Sequence, residues 1–263
     1  MEKINYVTFS SIPSPLPSSL QIIKTCESFS KYKHNVTLIK PGTGYKRISI
    51  NKYYEVRFRV NIKEFEFFKE FPKGLNFYLY SFSCLFFILK EKSSITITRN
   101  YFICFLLTLF KKKTILEIHH DTKIEGRITK FILRYSNLFK KKNLINIVAI
   151  TNSVKNLFVN KYNINPKKIT VLPSGSSIRI NQLPKFRDNR RMKVGYFGSI
   201  SPSKGINTLI KLSKIDPDND YFIYGGTKQE IFKLRKVNTN KNLFLKENIP
   251  YAKLSNSMLK MDI

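Results

Sequence analysis

Val194-Gly195-Tyr196-Phe197-Gly198-Ser199-Ile200-Ser201-Pro202-Ser203-Lys204-Gly205 decides how this chain is read. A short strand over Met192–Phe197 ends at a glycine, and a turn then leads into a helical pattern over Ile206–Lys214. Such a turn presents free backbone N–H groups and the positive end of a helix dipole, which together favour phosphate. Lys204 adds a mobile positive charge at the same place, suited to neutralising a diphosphate as it leaves. Glycine and lysine also occur in α/β turns for geometry alone, so the turn takes its meaning from the rest of the chain.

Toward the N-terminus, short β-branched runs alternate with longer helical patterns. Strands are expected at Ile4–Phe9, Asn35–Lys40, Glu55–Val60, Ile95–Thr98, Thr114–Ile118, Asn146–Ile150 and Ile169–Leu172. Helices are expected at Ser18–Tyr32, Leu75–Lys90, Tyr101–Phe110, Glu125–Phe139 and Ser153–Tyr162. This alternation predicts an α/β fold with parallel sheets and helices on both faces. Asn181–Arg191 breaks the rhythm with polar residues, a proline and a charge run, and reads as a linker. Beyond it lie the glycine turn, a strand at Tyr221–Tyr224 and Gly225-Gly226. Two tandem domains follow, 1–185 and 186–263. Only about 70 residues follow the linker, where a doubly wound domain takes on the order of 100–150, so the second domain reads as incomplete, with Met261-Asp262-Ile263 entering a further buried strand.

Composition sets limits on function. The 263 residues are 42% hydrophobic, enough for globular folding, and carry 47 Lys+Arg against 17 Asp+Glu, a formal charge of +30. That excess suits a partner with negative charge: nucleic acid, an anionic membrane surface or a phosphorylated substrate. No zinc-finger spacing, ribonucleoprotein motif or helix-turn-helix supports nucleic acid. Cys26, Cys84 and Cys104 are far apart and read as small core residues of a reducing compartment, and the absence of a signal peptide points to the cytoplasm. Leu75–Leu89 and Tyr101–Phe110 fall short of the roughly 20 residues that cross a bilayer, and read as buried helices. Lys123–Lys142 mixes apolar residues with Lys and Arg, as either an interfacial or a half-buried helix does.

Three further segments carry candidate chemistry. Glu117-Ile118-His119-His120-Asp121 ends a strand where ligands of parallel sheets bind, and its imidazoles can contact a substrate hydroxyl or phosphate. Metal is disfavoured there, because His34 is the only other histidine. Arg99, after the strand Ile95–Thr98, can grip a phosphate or carboxylate. In Ser10–Gln21 the prolines stiffen a loop, and Ser18 or Ser19 can cap the helix that follows.

Taken in order, these segments resemble glycosyltransferase family 4, with a GT-B fold of two Rossmann-like domains. The resemblance runs through Ser19–Glu27, Thr98-Arg99-Asn100, Glu117-Ile118-His119, Ile147–Ser153, Lys168–Gly175, the glycine–lysine turn and Gly225-Gly226. It implies a retaining enzyme that moves a sugar from a UDP- or GDP-sugar to a glycan or lipid-linked acceptor in cell-surface polysaccharide or lipopolysaccharide synthesis, without an obligatory metal. It places Gly198, Ser199, Lys204, Gly205, Gly225 and Gly226 at the donor. His119, with His120 as the alternative, falls beside the donor sugar, and Ser11, Ser18, Ser19, Gln21, Lys24, Arg99, Glu117 and His120 fall on the acceptor side. The basic surface would suit the inner face of a plasma membrane.

The chain departs from the family pattern in two ways. Ser199 stands where many members carry an arginine, and the paired glutamates that hold the donor's sugar and ribose would lie beyond residue 263. The implied chain is therefore C-terminally truncated and binds donor poorly, and the competing expectation is a non-catalytic remnant or one segment of a split protein.

Overall fold

The computed structural model describes residues 1–42, 49–65, 73–91, 94–175 and 191–263. The chain divides into two compact units, Met1–Lys52 with Val56–Ser176, and Ser177–Ile263 with Tyr53–Glu55. Up to residue 175 the elements are β1 (Lys3–Val7), α1 (Pro17–Lys31), β2 (Asn35–Pro41), α2 (Ile50–Tyr54), β3 (Asn61–Phe65), α3 (Lys73–Leu89), β4 (Ser94–Thr98), α4 (Tyr101–Leu109), β5 (Thr114–Ile118), α5 (Arg127–Tyr135), β6 (Leu144–Ala149), α6 (Asn152–Tyr162) and β7 (Ile169–Val171).

The seven strands form one parallel sheet in the order β3-β2-β1-β4-β5-β6-β7. The order reverses at β1, which pairs with both β2 and β4, and at such a reversal the loops leaving the two strands part and open a crevice. The central strands are covered on both faces, which is why β1 and β2 are buried almost throughout. One core cluster joins Tyr80, Cys84, Leu85 and Ile88 of α3 to Phe102, Ile103, Leu106 and Leu107 of α4. Another packs Leu116, Ile118, Leu144 and Ile147 against Leu133 and Phe158. Both expected apolar helices are thus core helices, and among the described residues no helix is long and apolar enough to cross a membrane. All three cysteines are buried and free.

The second unit holds β8 (Lys193–Phe197), α7 (Ile206–Ile215), β9 (Asp220–Tyr224), α8 (Lys228–Val237), β10 (Leu243–Lys246) and α9 (Tyr251–Met258). Its strands form a parallel sheet, β10-β9-β8, over a core of Ile206, Ile223, Ile231 and Leu245. Residues 261–263 are not a regular strand, yet they lie along β8. The Gly195 N–H donates to the Ile263 carbonyl at 2.8 Å and the Ile263 N–H to the Lys193 carbonyl at 3.4 Å, a pair that brackets Val194 as a parallel ladder does.

Three expectations need correction. No strand forms over Glu55–Val60. Residues 50–54 are helical, Glu55 turns with φ 50°, and the strand pairs with β2 only from Asn61. The helix expected over Glu125–Phe139 is shorter, because Gly126 precedes its first turn and Asn137, at φ 51°, breaks the chain into a 3-10 turn at Leu138–Lys140. Neither Ser18 nor Ser19 caps α1, whose N-cap is Leu16 with no side-chain cap and Pro17 in the first turn. The linker expected over Asn181–Arg191 lies, except for Arg191, outside the described residues, as does the boundary expected between 185 and 186.

Candidate functional site

At the carboxyl edge of the first sheet, side chains from three neighbouring strands meet on one oxygen. Tyr6 of β1 is fully buried, and its hydroxyl donates to Glu117 Oε2 at 2.8 Å. Arg99, the first residue after β4, donates its Nε–H to the same oxygen at 2.8 Å. His119 Nε2, one residue past β5, lies 3.5 Å from it. Burial alone would lift the Glu117 carboxyl, but the His119 hydrogen bond, the Arg99 charge and the Arg99 and Tyr6 hydrogen bonds outweigh it and lower its pKa to about 2. Burial, with the Glu117 charge behind it, pushes the Tyr6 hydroxyl well above its ordinary range, so Tyr6 stays a donor. A carboxylate so firmly ionised orients its partners and is a poor proton acceptor at neutral pH.

Beside this cluster, a cavity of about 300 Å³ opens between the ends of β1 and β4. Its walls come from residues 7–10, Phe77, residues 99–101 and Glu125. Arg99 belongs to both features. Its Nε is held by Glu117, while its Nη2 is buried with no hydrogen-bond partner and so keeps a donor for a ligand. The Tyr80 hydroxyl fixes the cavity's rim from below, lying 2.7 Å from the Thr8 carbonyl and 2.9 Å from that of Ile39. Asn100 caps α4 by accepting from the N–H groups of Phe102 and Ile103. Burial raises the Glu125 pKa against the opposing charges of His120 and Lys130.

In the second unit the ends of β8 and β9 converge. The Gly198 N–H donates to the Tyr224 carbonyl at 3.0 Å, and a Cβ on Gly225 would run into the Gly198 carbonyl oxygen, so only glycine fits at 225. Gly205 precedes α7 at φ 74° and provides no side-chain cap; the Thr208 N–H already donates to the Gly205 carbonyl at 3.0 Å, so an anion at this helix start would be met by the N–H groups ahead of Thr208. Lys204 and Ser199 are exposed in the same turn, and among the described residues no carboxylate lies within ion-pair distance of Lys204. The neighbouring helix differs. Glu230 accepts from the N–H and hydroxyl of Thr227 in a capping box that fills the start of α8 next to Gly226. Of these two starts, α7 therefore offers the anion site.

The structure thus brings Arg99, Glu117 and His119 together, and places Gly198, Ser199, Lys204, Gly205 and Gly225 around one turn. His120 is exposed and turned toward the Asp121 carbonyl, 3.0 Å from its Nδ1. Ser19 is fully buried, donating to the Ser11 carbonyl at 3.0 Å and lying 2.8 Å from the Ser14 hydroxyl, which makes it a peg of the loop. Ser11 and Ser18 are exposed, Gln21 donates to Ser174 at 2.9 Å, and Lys24 is paired with Glu27 at 2.6 Å. Among the described residues, no group of three His, Cys, Asp or Glu side chains is placed to hold a metal ion. Sequence reasoning missed Tyr6 and Glu125. Tyr6 sits in a strand without a local motif, and Glu125 was assigned to a helix that begins after it.

No protein-family model matches this chain, and no curated protein matches it in sequence. Solved structures match its fold. Anabaena Alr3699/HepE, in complex with UDP and glucose, is 13% identical over 95% of this chain and 70% of its own, with a TM-score of 0.64. The UDP-GlcNAc 2-epimerase of Neisseria meningitidis, bound to UDP-GlcNAc, is 12% identical over 97% and 75%, with a TM-score of 0.60. The lipopolysaccharide outer core galactosyltransferase WaaB, in its apo form, is 12% identical over 98% and 71%, with a TM-score of 0.56. The chain has the GT-B-like architecture of tandem Rossmann-like units, built on parallel sheets, that these structures share.

Proposed function

We propose that this chain is a glycosyltransferase that takes a sugar from a UDP- or GDP-sugar and passes it, with retention and without an obligatory metal, to a glycan or lipid-linked acceptor of cell-surface polysaccharide or lipopolysaccharide synthesis. The observation that carries this reading is the open N-terminus of α7 beside Lys204, at the converging ends of β8 and β9. A diphosphate is favoured by backbone N–H donors at a helix start and by a cation without a carboxylate partner, and the uncapped start of α7 and the exposed Lys204 support that reading. Solved structures of this fold in complex with UDP and glucose, or with UDP-GlcNAc, support the same class of ligand.

In the reaction the acceptor hydroxyl oxygen bonds to the anomeric carbon as the bond from that carbon to the diphosphate oxygen breaks, and the hydroxyl proton passes to the departing diphosphate. Lys204 and the first-turn N–H groups of α7 would take up the negative charge that develops on the leaving diphosphate, and Gly198 and Gly205 let it approach the backbone. His119, oriented by Glu117, would meet the donor sugar. Arg99 would offer Nη2 to an acceptor oxygen or phosphate in the crevice at the ends of β1 and β4, on the acceptor side. In this proposal the protein works on the cytoplasmic side, at an anionic membrane surface.

A thermal-shift titration of the purified chain with UDP, GDP and their sugar conjugates tests the reading, because a ligand that binds only the folded state raises the melting temperature. A saturable shift with one nucleotide that is lost in Lys204→Ala supports the site and names the donor class. An equal shift in Lys204→Ala removes the phosphate assignment, and no shift with any nucleotide favours a non-catalytic chain. Since an epimerase shares the fold, product analysis then asks whether the released nucleotide accompanies sugar transfer or a change in the sugar itself.

A further inference from the structure

α5 buries Thr129, Ile132 and Leu133, with Ile132 in the cluster of α3 and α4 and Leu133 in that of Leu116 and Ile118. Its other face would ordinarily be polar, yet Ile128, Phe131 and Tyr135 are 50%, 64% and 59% exposed there. They follow one another at spacings of three and four, which lines them up as one stripe. The Phe131 and Tyr135 rings lie 4.9 Å apart, and the Arg134 guanidinium sits 5.4 Å from the Tyr135 ring. The charged residues of the helix are Arg127, Lys130 and Arg134, with no acid among them. On another flank of the same helix, at Lys130, Leu133 and Arg134, is an open hollow of about 640 Å³ whose walls also include Lys123, Lys140 and Lys161 and no carboxylate. Asp121 pairs with Lys161 at 2.6 Å and approaches Lys123 at 3.9 Å, but among the described residues no carboxylate is within ion-pair distance of Lys130, Arg134 or Lys140.

We propose that this face of α5 and the basic hollow on the helix's other flank dock on an anionic lipid bilayer. Ile128, Phe131 and Tyr135 enter the boundary between headgroups and acyl chains, while Lys130, Arg134 and Lys140 meet lipid phosphates. An exposed apolar stripe on a helix whose charged residues are all cations has the chemistry of an interfacial helix, and a surface of anionic headgroups over hydrocarbon satisfies both halves at once. A second copy of the chain fits less well, because two such faces would bring like charges together on molecules that each carry +30. Nucleic acid could use the cations and the rings, but it gives Ile128 no partner.

The chain contains no tryptophan, so Phe131→Trp installs a single indole reporter on the stripe. Phe232→Trp serves as the control, at a residue 60% exposed on α8 of the other unit. With vesicles of phosphatidylglycerol and phosphatidylcholine, the Phe131→Trp indole should shift to the blue and be quenched by lipids brominated on the acyl chain, while the Phe232→Trp indole is not. Pure phosphatidylcholine vesicles should leave both unchanged. Lys130→Gln with Arg134→Gln should weaken partition of the wild-type background by about fivefold per charge, roughly 25-fold together. Equal quenching at both positions, equal partition onto neutral vesicles, or a tighter complex with single-stranded RNA than with anionic vesicles would overturn the proposal. Wild-type co-sedimentation with the same vesicles keeps the test decisive if a variant fails to fold; the inference rests on the membrane surface named in the proposed function, and because no nucleotide sugar is involved its failure is distinguishable from a failure of the sugar-transfer assignment.

Discussion

Glu117 Oε2 accepts the Nε–H of Arg99 at 2.8 Å, and this bond joins the end of β5 to the loop that leaves β4. Both side chains are largely buried, 14% and 18% exposed. The pair therefore holds the crevice edge in shape, and each charge depends on the other to remain there.

Glu117→Gln should lower stability by roughly 3–5 kcal/mol at pH 7, since it leaves the Arg99 charge buried without its counter-ion. In the wild type, the folded pKa of about 2 lies below the ordinary 4.5. Its contribution is therefore complete above pH 4.5 and fades as pH falls toward 2, amounting to about 3 kcal/mol. Urea midpoints at pH 7 and pH 3 should show the gap between wild type and variant closing at the lower pH; a gap of constant size would contradict the assignment.

Tyr80→Phe should cost about 1–2 kcal/mol, because it removes the buried hydroxyl that serves the Thr8 and Ile39 carbonyls. The loss should be local. Hydrogen exchange is expected to quicken at residues 8–10 and to stay unchanged in the second unit.

Gly225→Ala should destabilise the second unit by about 1–3 kcal/mol, since the added methyl meets the Gly198 carbonyl oxygen, a backbone atom that cannot swing aside. Limited proteolysis should find residues 191–263 cut sooner than in the wild type. An unchanged pattern would mean that the two turns separate without cost.

Lys204→Ala should weaken nucleotide binding by about 10- to 100-fold, the value of one charge-assisted hydrogen bond, while leaving the melting temperature of the free chain nearly unchanged because Lys204 is exposed. Calorimetric titration separates the two effects. A large drop in the free chain's melting temperature would make the residue structural.

Glu125→Gln should stabilise the first unit at pH 7. Burial raises the folded pKa of this acid, so the ionised form is disfavoured in the fold and stability is lost as pH rises through that pKa. The gain should vanish at pH 4, where the wild-type residue is already largely protonated, and thermal melts at the two pH values measure it.

Much of the architecture is legible along the chain. Strands β1, β2, β4 and β5 are covered on both faces, so each must be nearly continuous in apolar and β-branched residues, and that run is visible without coordinates. The edge strand β3 is mostly exposed and reads NIKEF, a weaker pattern than the EVRFRV beside it. Its position follows from hydrogen bonding to β2, and no local alternation reports that. The end of α5 depends on Asn137 entering the left-handed region, and the separation of Glu125 from the helix depends on Gly126 standing as its N-cap; the hydrophobic pattern announces neither. Thr227-Lys228-Gln229-Glu230 does carry the spacing of a capping box, a local signal that was there to read.

The sequence by itself determined the parallel α/β class and the glycine–lysine turn, because each leaves a local signature: β-branched runs alternating with helical patterns, and a strand that ends at a glycine before a helix. Only the tertiary structure decided that Tyr6, Arg99 and His119 gather on one oxygen of Glu117, that Ser19 is a buried peg, and that the outer face of α5 remains apolar. Those outcomes depend on the strand order β1-β4-β5 and on which helix face meets the sheet. Residues 6, 99 and 117 share no spacing that could announce the meeting; the pairing of their strands creates it.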